Sequence, residues 1–477
     1  MAVVEERGTY SYAIDWLDTL GYKPDTRMST IISSYWGWYI ADNDWYQYTE
    51  RRNMNQFKQT RETLKPASLV AEAWSDLLMN EKLSITSDDK GIQEVLEAHF
   101  SNFGVAQADF ITRAFALGTG AWAISVYDVA NDGMMHPDAN IVIDSYDAHQ
   151  VLPITWSAND CTQCAFVTRV EFDGRDYDQC QAHVFIDGTY HILTQLFDIK
   201  SHRPVYPDGL LADLDTRSTC QTFSLVRPAV PNTHFSYCAH GASVYDNAIS
   251  GIKATDEALT SFLVHLRVCR PKLFVSDTMI KKDTKKDANG NTITTFSAFG
   301  EADDIVFRTS PADEGSDPMR VIQPDMRIEE NEKAINAGLN MLSLRCGLGE
   351  QYFSWDEKTG LKTATEVVSD SSMLARTLRK HQNALSKSIV VLVRGVAGVC
   401  HSLCNTALNT NAAIAIDFDD SVIVDTQTER TMALNEISML GGAPILKRKY
   451  VTTYLGFSDD EALAAFPDGV NAVDEGF

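Results

Sequence analysis

The sequence predicts a mixed α+β chain of elongated, multipart build. Three observations point there. Apolar residues recur at helical spacing up to Gly120, the period changes to two from Ala121 to about Asp198, and helical spacing returns in three long stretches after Asp246. A chain of 477 residues exceeds what one compact core accommodates, so roughly two to four domains or one extended subunit are expected.

An aromatic stretch, YWGWYIADNDWYQY, occupies Tyr35 to Tyr48. With few basic residues interleaved, it is expected to pack in a core or a subunit interface rather than on nucleic acid. Pro66 suits the first turn of a helix in which Leu69, Val70, Ala73, Trp74, Leu77 and Leu78 form one apolar stripe. Ile92, Val95, Leu96, His99 and Phe100 mark a second helix. Phe110, Ile111, Ala114, Phe115 and Leu117 mark a third, which stops at Gly118 and Gly120.

AWAISVYD, CAFVTRVEF, QAHVFI and TYHILTQLFD alternate as strands, with turn signals at Asp173-Gly174 and Asp187-Gly188, which predicts one antiparallel meander. Pro-punctuated loops run from Arg203 to Asn232. A helix opens near Asp246, carries Ile249, Ile252, Leu259, Phe262, Leu263 and Leu266 along one side, and ends at Pro271. In the insertion that follows, KLFVS and TITTF are short strands beside an Asn289-Gly290 turn, and Pro311, Pro318 and Pro324 interrupt the remainder. Helix returns from about Asp325 to Arg345 through Ile328, Ile335, Leu339 and Leu342. Two helices around a small insertion make a hairpin with an elaborated tip, each arm about 30 Å long.

The loop CGLGEQYFSWDEKTGLK precedes the longest helical pattern, Thr363 to about Leu408, which would reach roughly 60 Å. Thr363 and Glu366 have the spacing of a capping box, in which each side chain satisfies the other residue's free backbone donor. Gly395 and Gly398 are expected to bend this helix. AAIAIDFDD and SVIVD form a strand pair, and short helices around Met432, Lys447 and Glu461 close the chain.

Composition excludes several classes of function. Hydrophobic residues at 44% and charged residues at 22% suit a well-ordered globular protein. The start, MAVVEERGTY, has two glutamates and no apolar signal region. The best apolar run, Ile389 to Val399, is interrupted by Arg394 and falls short of a span, so a soluble cytosolic product with no membrane partner is expected. Nine scattered cysteines predict reduced thiols. A net charge of -24 speaks against tight binding of nucleic acid, which needs a basic surface, whereas an acidic wall lets a duplex slide past.

Two metal signals are weak. Cys161, Cys164, Cys180 and His183 approximate a zinc-ribbon spacing, but Cys180 and His183 lie three apart in the alternating string QCQAHVFI. Unless a tight knuckle interrupts that strand they face opposite ways and share no ion. Asp417, Asp419 and Asp420 resemble a nuclease metal set in composition, but alternation with Ile414, Ile416 and Phe418 predicts a solvated carboxylate face. Motifs for ATP hydrolysis, zinc proteolysis, serine hydrolysis and dinucleotide binding are missing, so neither an enzyme nor a cofactor is expected. The rivals are a metal-dependent DNA-processing enzyme built on the Asp417 cluster and a capsid or tail component that forms shells or tubes.

Several strings, in their order, resemble the portal proteins of tailed bacteriophages with long non-contractile tails. ALGTGAW at 116–122 resembles that family's helix-to-strand junction, CAFVTR at 164–169 its meander, GLKTATEV at 360–367 the start of its long bent helix, and GFSDDEALAAF at 456–466 its C-terminal helix. The resemblance implies a wing at 1–245, a stem helix at 246–271, a small α/β clip at 272–324 and a second stem helix at 325–347. It further implies a tunnel loop at 348–362, a long bent helix at 363–408, wing strands at 409–425 and a short helical crown at 426–477.

It also implies a dodecameric ring at one capsid vertex that conducts double-stranded DNA during packaging and ejection. The implied partners are the terminase large subunit, a head-tail adaptor, the major capsid protein and, as a further candidate, scaffolding protein. The implied location is the virion, with assembly in the host cytoplasm.

Within the tunnel loop Glu350, Trp355, Lys358 and Lys362 are the residues expected beside DNA. Repeated around a ring, the two lysines give bands of positive charge that touch phosphates transiently. Tyr352, Phe353 and Trp355 are expected to anchor the loop by packing, since an intact duplex offers no free base faces. In the clip, Lys281, Lys282, Lys285 and Lys286 are either a lysine-protected hairpin edge or a docking surface for an acidic partner or the DNA backbone.

Overall fold

The computed structural model describes residues 10–52, 55–79, 83–129, 135–157, 160–276, 282–286, 292–296, 306–309, 319–355, 372–404, 406–418, 434–435, 437, 444–455 and 459–467. The expected mixture of helix and strand is present. Helices α1 (Ser11–Thr19) and α2 (Ser29–Tyr39) precede a hairpin of β1 (Gln47–Arg52) and β2 (Asn55–Thr60). Helix α3 (Pro66–Leu78) begins on its proline and buries Val70, Trp74 and Leu78. A short strand, β3 (Ser84–Thr86), leads to α4 (Lys90–His99), whose N-cap Asp89 accepts the Ile92 N–H at 3.1 Å. The short α5 (Phe103–Ala106) and α6 (Ala108–Leu117) follow. The latter ends at Gly118 with φ +80, where any side chain would also run into the Ala242–Ser243 backbone.

The strands between 120 and 226 form two sheets, which corrects the expectation of one meander. β4 (Gly120–Val129) and β5 (Met135–Asp147) join β12 (Phe223–Val226) in a three-stranded sheet of order β12-β4-β5. The true meander is β6 (Val151–Ser157), β7 (Asp160–Phe172), β8 (Arg175–Ile186) and β9 (Thr189–Asp198), extended by β10 (Pro204–Val205) and β11 (Asp213–Asp215) on β9. The edge of β4 is taken by β12, which arrives from the Pro-rich loops, a long-range pairing that strand alternation does not encode.

Alternation then stacks the layers. Ala121 and Ala123 of β4 meet Cys164 and Phe166 of β7 between the two sheets, while Trp122 and Ile124 turn to the helices. On the far side of the meander, Ala165, Val167, Cys180, Ala182 and Val184 receive Ala13 and Leu17 of α1. The order is therefore helix, sheet, sheet, helices.

Helices α3 and α6 share the main core with a long helix, here α9 (Ser372–Leu403), which buries Leu378, Leu385, Ile389, Leu392 and Val396. By length and composition α9 could cross a membrane, but 61% of its apolar window is buried inside the protein, as in a core helix. The helix is continuous through Gly395 and Gly398, which lie where it touches the 218–221 segment. A Cβ on Gly395 would collide with the Gln221 carbonyl oxygen, and one on Gly398 with Ser218 Oγ. The capping-box pair Thr363 and Glu366 lies outside the described residues.

Helices α7 (Ile249–Val268) and α8 (Ile328–Arg345) form the expected hairpin arms. Gly251 abuts Leu342 and Gly338 abuts Thr255, so the backbones touch at the base. Towards the tip, His265 Nδ1 lies 3.1 Å from Asn331 Oδ1, and Cys269 Sγ donates to the Asp325 carbonyl at 3.4 Å. These contacts follow one antiparallel register. The insertion contributes β13 (Lys272–Ser276), β14 (Lys282–Lys286), β15 (Thr292–Phe296), β16 (Val306–Thr309) and β17 (Met319–Ile322). KLFVS pairs with β16 and β17, while TITTF pairs with the lysine-bearing β14.

Strand β18 (Ala415–Asp417) pairs with β3, which the sequence did not suggest, and SVIVD lies outside the described residues. Helices α10 (Pro444–Leu455) and α11 (Asp459–Ala465) come last.

Candidate functional site

The base of the helix pair is held by a buried carboxylate. Asp256 of α7 is inaccessible to solvent and accepts the Tyr46 hydroxyl and the Thr63 hydroxyl at 2.8 Å each on Oδ2, and the Leu64 N–H at 2.9 Å on Oδ1. Burial raises its pKa, and the three donors counteract that rise. Beside it, Arg61 bonds Glu257 at 2.6 Å, donates to the Trp45 carbonyl and stacks over the rings of Trp45 and Tyr48. The aromatic stretch is thus a socket for α7, with Trp38, Trp45 and Tyr46 in mutual ring contact. Sequence reasoning missed Asp256. The available signal was an aspartate between Ile252 and Leu259 on the apolar face of a helix.

The loop after α8 is built on that helix. Gly347 takes φ +80, its N–H bonds the Leu344 carbonyl, and the Leu348 N–H reaches back to Ser343 O at 3.0 Å, a left-handed glycine cap. Three side chains of α8 then catch loop N–H groups: Asn340 takes Gln351 at 2.9 Å, Ser343 takes Phe353 at 3.4 Å and Asn336 takes Trp355 at 2.8 Å. The loop therefore lies folded back along its own helix. Phe353 packs on the main core, as expected for an anchor, but Trp355 is 42% exposed and Tyr352 is also exposed. Burial, with a smaller contribution from Asp76, raises the Tyr352 pKa.

Of the channel residues expected from the sequence, Glu350 and Trp355 are described and both are exposed. Lys358 and Lys362 lie outside the described residues. In the insertion, Lys282, Lys285 and Lys286 fall on β14, and Lys281 lies outside the described residues.

Among the described residues no three His, Cys, Asp or Glu side chains converge as a metal-ligand set. Cys180 faces the α1 side of the meander. His183 faces the other, against Phe166 and Phe223, with Nδ1 2.8 Å from Thr222 Oγ1. Cys161 and Cys164, also three apart, share one side because the β6–β7 register shifts between Pro153 and Trp156. In β18, Asp417 is exposed and Ile416 packs on the core, and Asp419 and Asp420 lie outside the described residues.

A cavity of about 540 Å³ lies between the 221–241 segment and α9. Several of its polar groups serve each other or the backbone: Lys387 bonds Asp160 at 2.6 Å, Arg227 donates to the Ala239 carbonyl, and Asn232 donates to the His240 carbonyl, while the buried His240 Nδ1 has no hydrogen-bond partner among the described residues.

Residues 35–463 match the family described as phage portal protein, SPP1 Gp6-like. Among curated proteins none matches.

Proposed function

This chain belongs to the phage portal protein family, and we propose that α7, α8, the loop after α8 and α9 line the DNA channel of a ring of such chains. It is a portal subunit, a structural component of the virion capsid that serves packaging of double-stranded DNA with terminase and its later ejection.

The finer assignments are proposals. Residues 1–245 and 409–425 make the wing, 246–271 and 325–347 the stem, 272–324 the clip, 348–362 the tunnel loop, 363–408 the long bent helix and 426–477 the crown. The ring is dodecameric and assembles in the host cytoplasm. The terminase large subunit and later the head-tail adaptor dock on the clip near Lys281, Lys282, Lys285 and Lys286, and the major capsid protein is a further partner, with scaffolding protein as an additional candidate. The chain performs no chemical step, and ATP hydrolysis belongs to terminase. Shape and weak charge contacts hold the duplex, with Lys358 and Lys362 touching phosphates transiently and Glu350 and Trp355 on the same loop beside it, because strong phosphate binding would impede translocation.

One observation carries the ring. Val264 and Val268 of α7, together with Met326 and Ile328 at the start of α8, leave apolar surface uncovered at the distal end of the helix pair. A monomer rarely leaves such a face open, and head-to-tail packing of copies covers it. Negative-stain microscopy of the purified chain tests this. Discrete rings with an opening as wide as a duplex are expected, and compact monomers, shells or tubes would overturn it.

A further inference from the structure

The hairpin of β1 and β2 has a fixed root and, among the described residues, no third strand beside its shaft. At the root, the Arg61 N–H bonds the Tyr46 carbonyl at 2.9 Å, Thr60 Oγ1 donates to Gln47 Oε1 at 3.0 Å, and Asp256 holds residues 46, 63 and 64 onto α7. Beyond it the two strands pair only with each other among the described residues, from Gln47 opposite Thr60 to Arg52 opposite Asn55. A lone two-stranded hairpin of this length, about 20 Å, is marginal in water and needs a third surface to be stable.

The sequence of the shaft indicates what that surface is. Residues 47–60 carry Arg51, Arg52 and Lys58 against Glu50, a net +2 on a chain whose net charge is -24. Phe57 is 44% exposed and Lys58 is exposed. Lysine and arginine alone would be explained as protection of a free edge. An uncovered phenylalanine on the same shaft does not protect an edge, and an intact duplex has no apolar face to receive it. A protein surface of acidic character can receive both, and each copy of this chain carries a net charge of -24.

We propose that the β1–β2 hairpin is an arm that docks on an acidic face of the adjacent copy in the ring. The inference rests on the portal reading and adds a charge-complementary contact to the apolar one on the helix pair. Arm and receiving face are different surfaces, as a closed head-to-tail ring requires.

The test compares the full chain with Lys58→Glu and Phe57→Ser variants by native mass spectrometry and light scattering over a range of salt. Rings from the unmodified chain are the first requirement; a monomeric unmodified chain overturns the portal reading itself and this inference with it. Given rings, each variant is expected to assemble about tenfold more weakly, with unchanged circular dichroism and melting of the single chain. Variant rings as abundant and as salt-resistant as the originals would overturn the arm. As an independent measurement, Phe57→Cys labelled with a photo-crosslinker should join copies into covalent ladders. Capture of added duplex DNA, or crosslinks within single chains only, would count against it.

Discussion

The Tyr46 hydroxyl donates to Asp256 Oδ2 at 2.8 Å in a site closed to solvent, tying the aromatic stretch to the first helix of the hairpin. Three donors depend on that one carboxylate, and no cation accompanies it in the bond set.

Asp256→Ala is therefore expected to cost about 3 kcal/mol of stability in a denaturant titration, because three buried donors lose their acceptor. Asp256→Asn keeps an acceptor oxygen and should cost about 1 kcal/mol. The pH dependence has a definite sign. The folded-state pKa is raised, so the folded chain holds this proton longer than the unfolded one. Stability thus falls as pH rises from the unfolded value, about 3.9, through the raised folded value, and Asp256→Asn should remove that part of the slope.

Acid should weaken the fold through three buried neutral imidazoles. Burial lowers the pKa of His183 to about 3 and of His240 and His381 to about 4, from 6.5. Between pH 6.5 and 4 the unfolded chain takes up protons that the folded chain refuses, so stability drops as pH falls, by up to about 1.4 kcal/mol per pH unit for each histidine. His381 accepts the Ala229 N–H and lies against Trp74 and Phe115. His381→Gln should lower stability at pH 7 and flatten the difference between melts at pH 6 and pH 4.5 by one histidine's share. An unchanged difference would show that His381 does not contribute.

Gly395→Ala should destabilise despite alanine's better helix propensity. The added methyl collides with the Gln221 carbonyl oxygen, a backbone atom that cannot rotate away. A gain of about 1 kcal/mol in propensity is outweighed by overpacking of about 1–3 kcal/mol, giving a lower midpoint in thermal melting.

The double variant Lys358→Ala with Lys362→Ala should leave rings intact on micrographs while altering DNA packaging or retention in an assembly assay. Packaging and retention both equal to the unmodified protein would remove the proposed role of the loop lysines.

Local periodicity made most elements legible. The stripe through Val70, Trp74 and Leu77 is the buried face of α3, and Gly118 stops α6 where a left-handed residue is needed. The arms around the insertion followed from Ile252, Leu259, Ile335 and Leu342. What could not be read was pairing between distant segments. Nothing near Phe223 announces that it lies opposite Ala123, nor near Ile416 that it lies opposite Ile85, because strand alternation sets a face and not a partner. The site was legible at its edges only. Phe353 was recognised as an anchor, but the asparagines at 336 and 340, ordinary polar residues on a helix surface, gave no sign that they bind the loop that follows.

The contacts of Gly251 with Leu342 and of Gly338 with Thr255 bring α7 and α8 backbone to backbone at two points of their seam. Backbones seated so closely resist sliding along their common axis, because a large shift would have to lift one helix out of its groove before it could settle in the next. A load applied near β13 and β17 thus reaches Gly347 through an inextensible rod. Motion passed from the inserted lobe to the loop is therefore expected to tilt the pair as a unit rather than to slide one helix along the other.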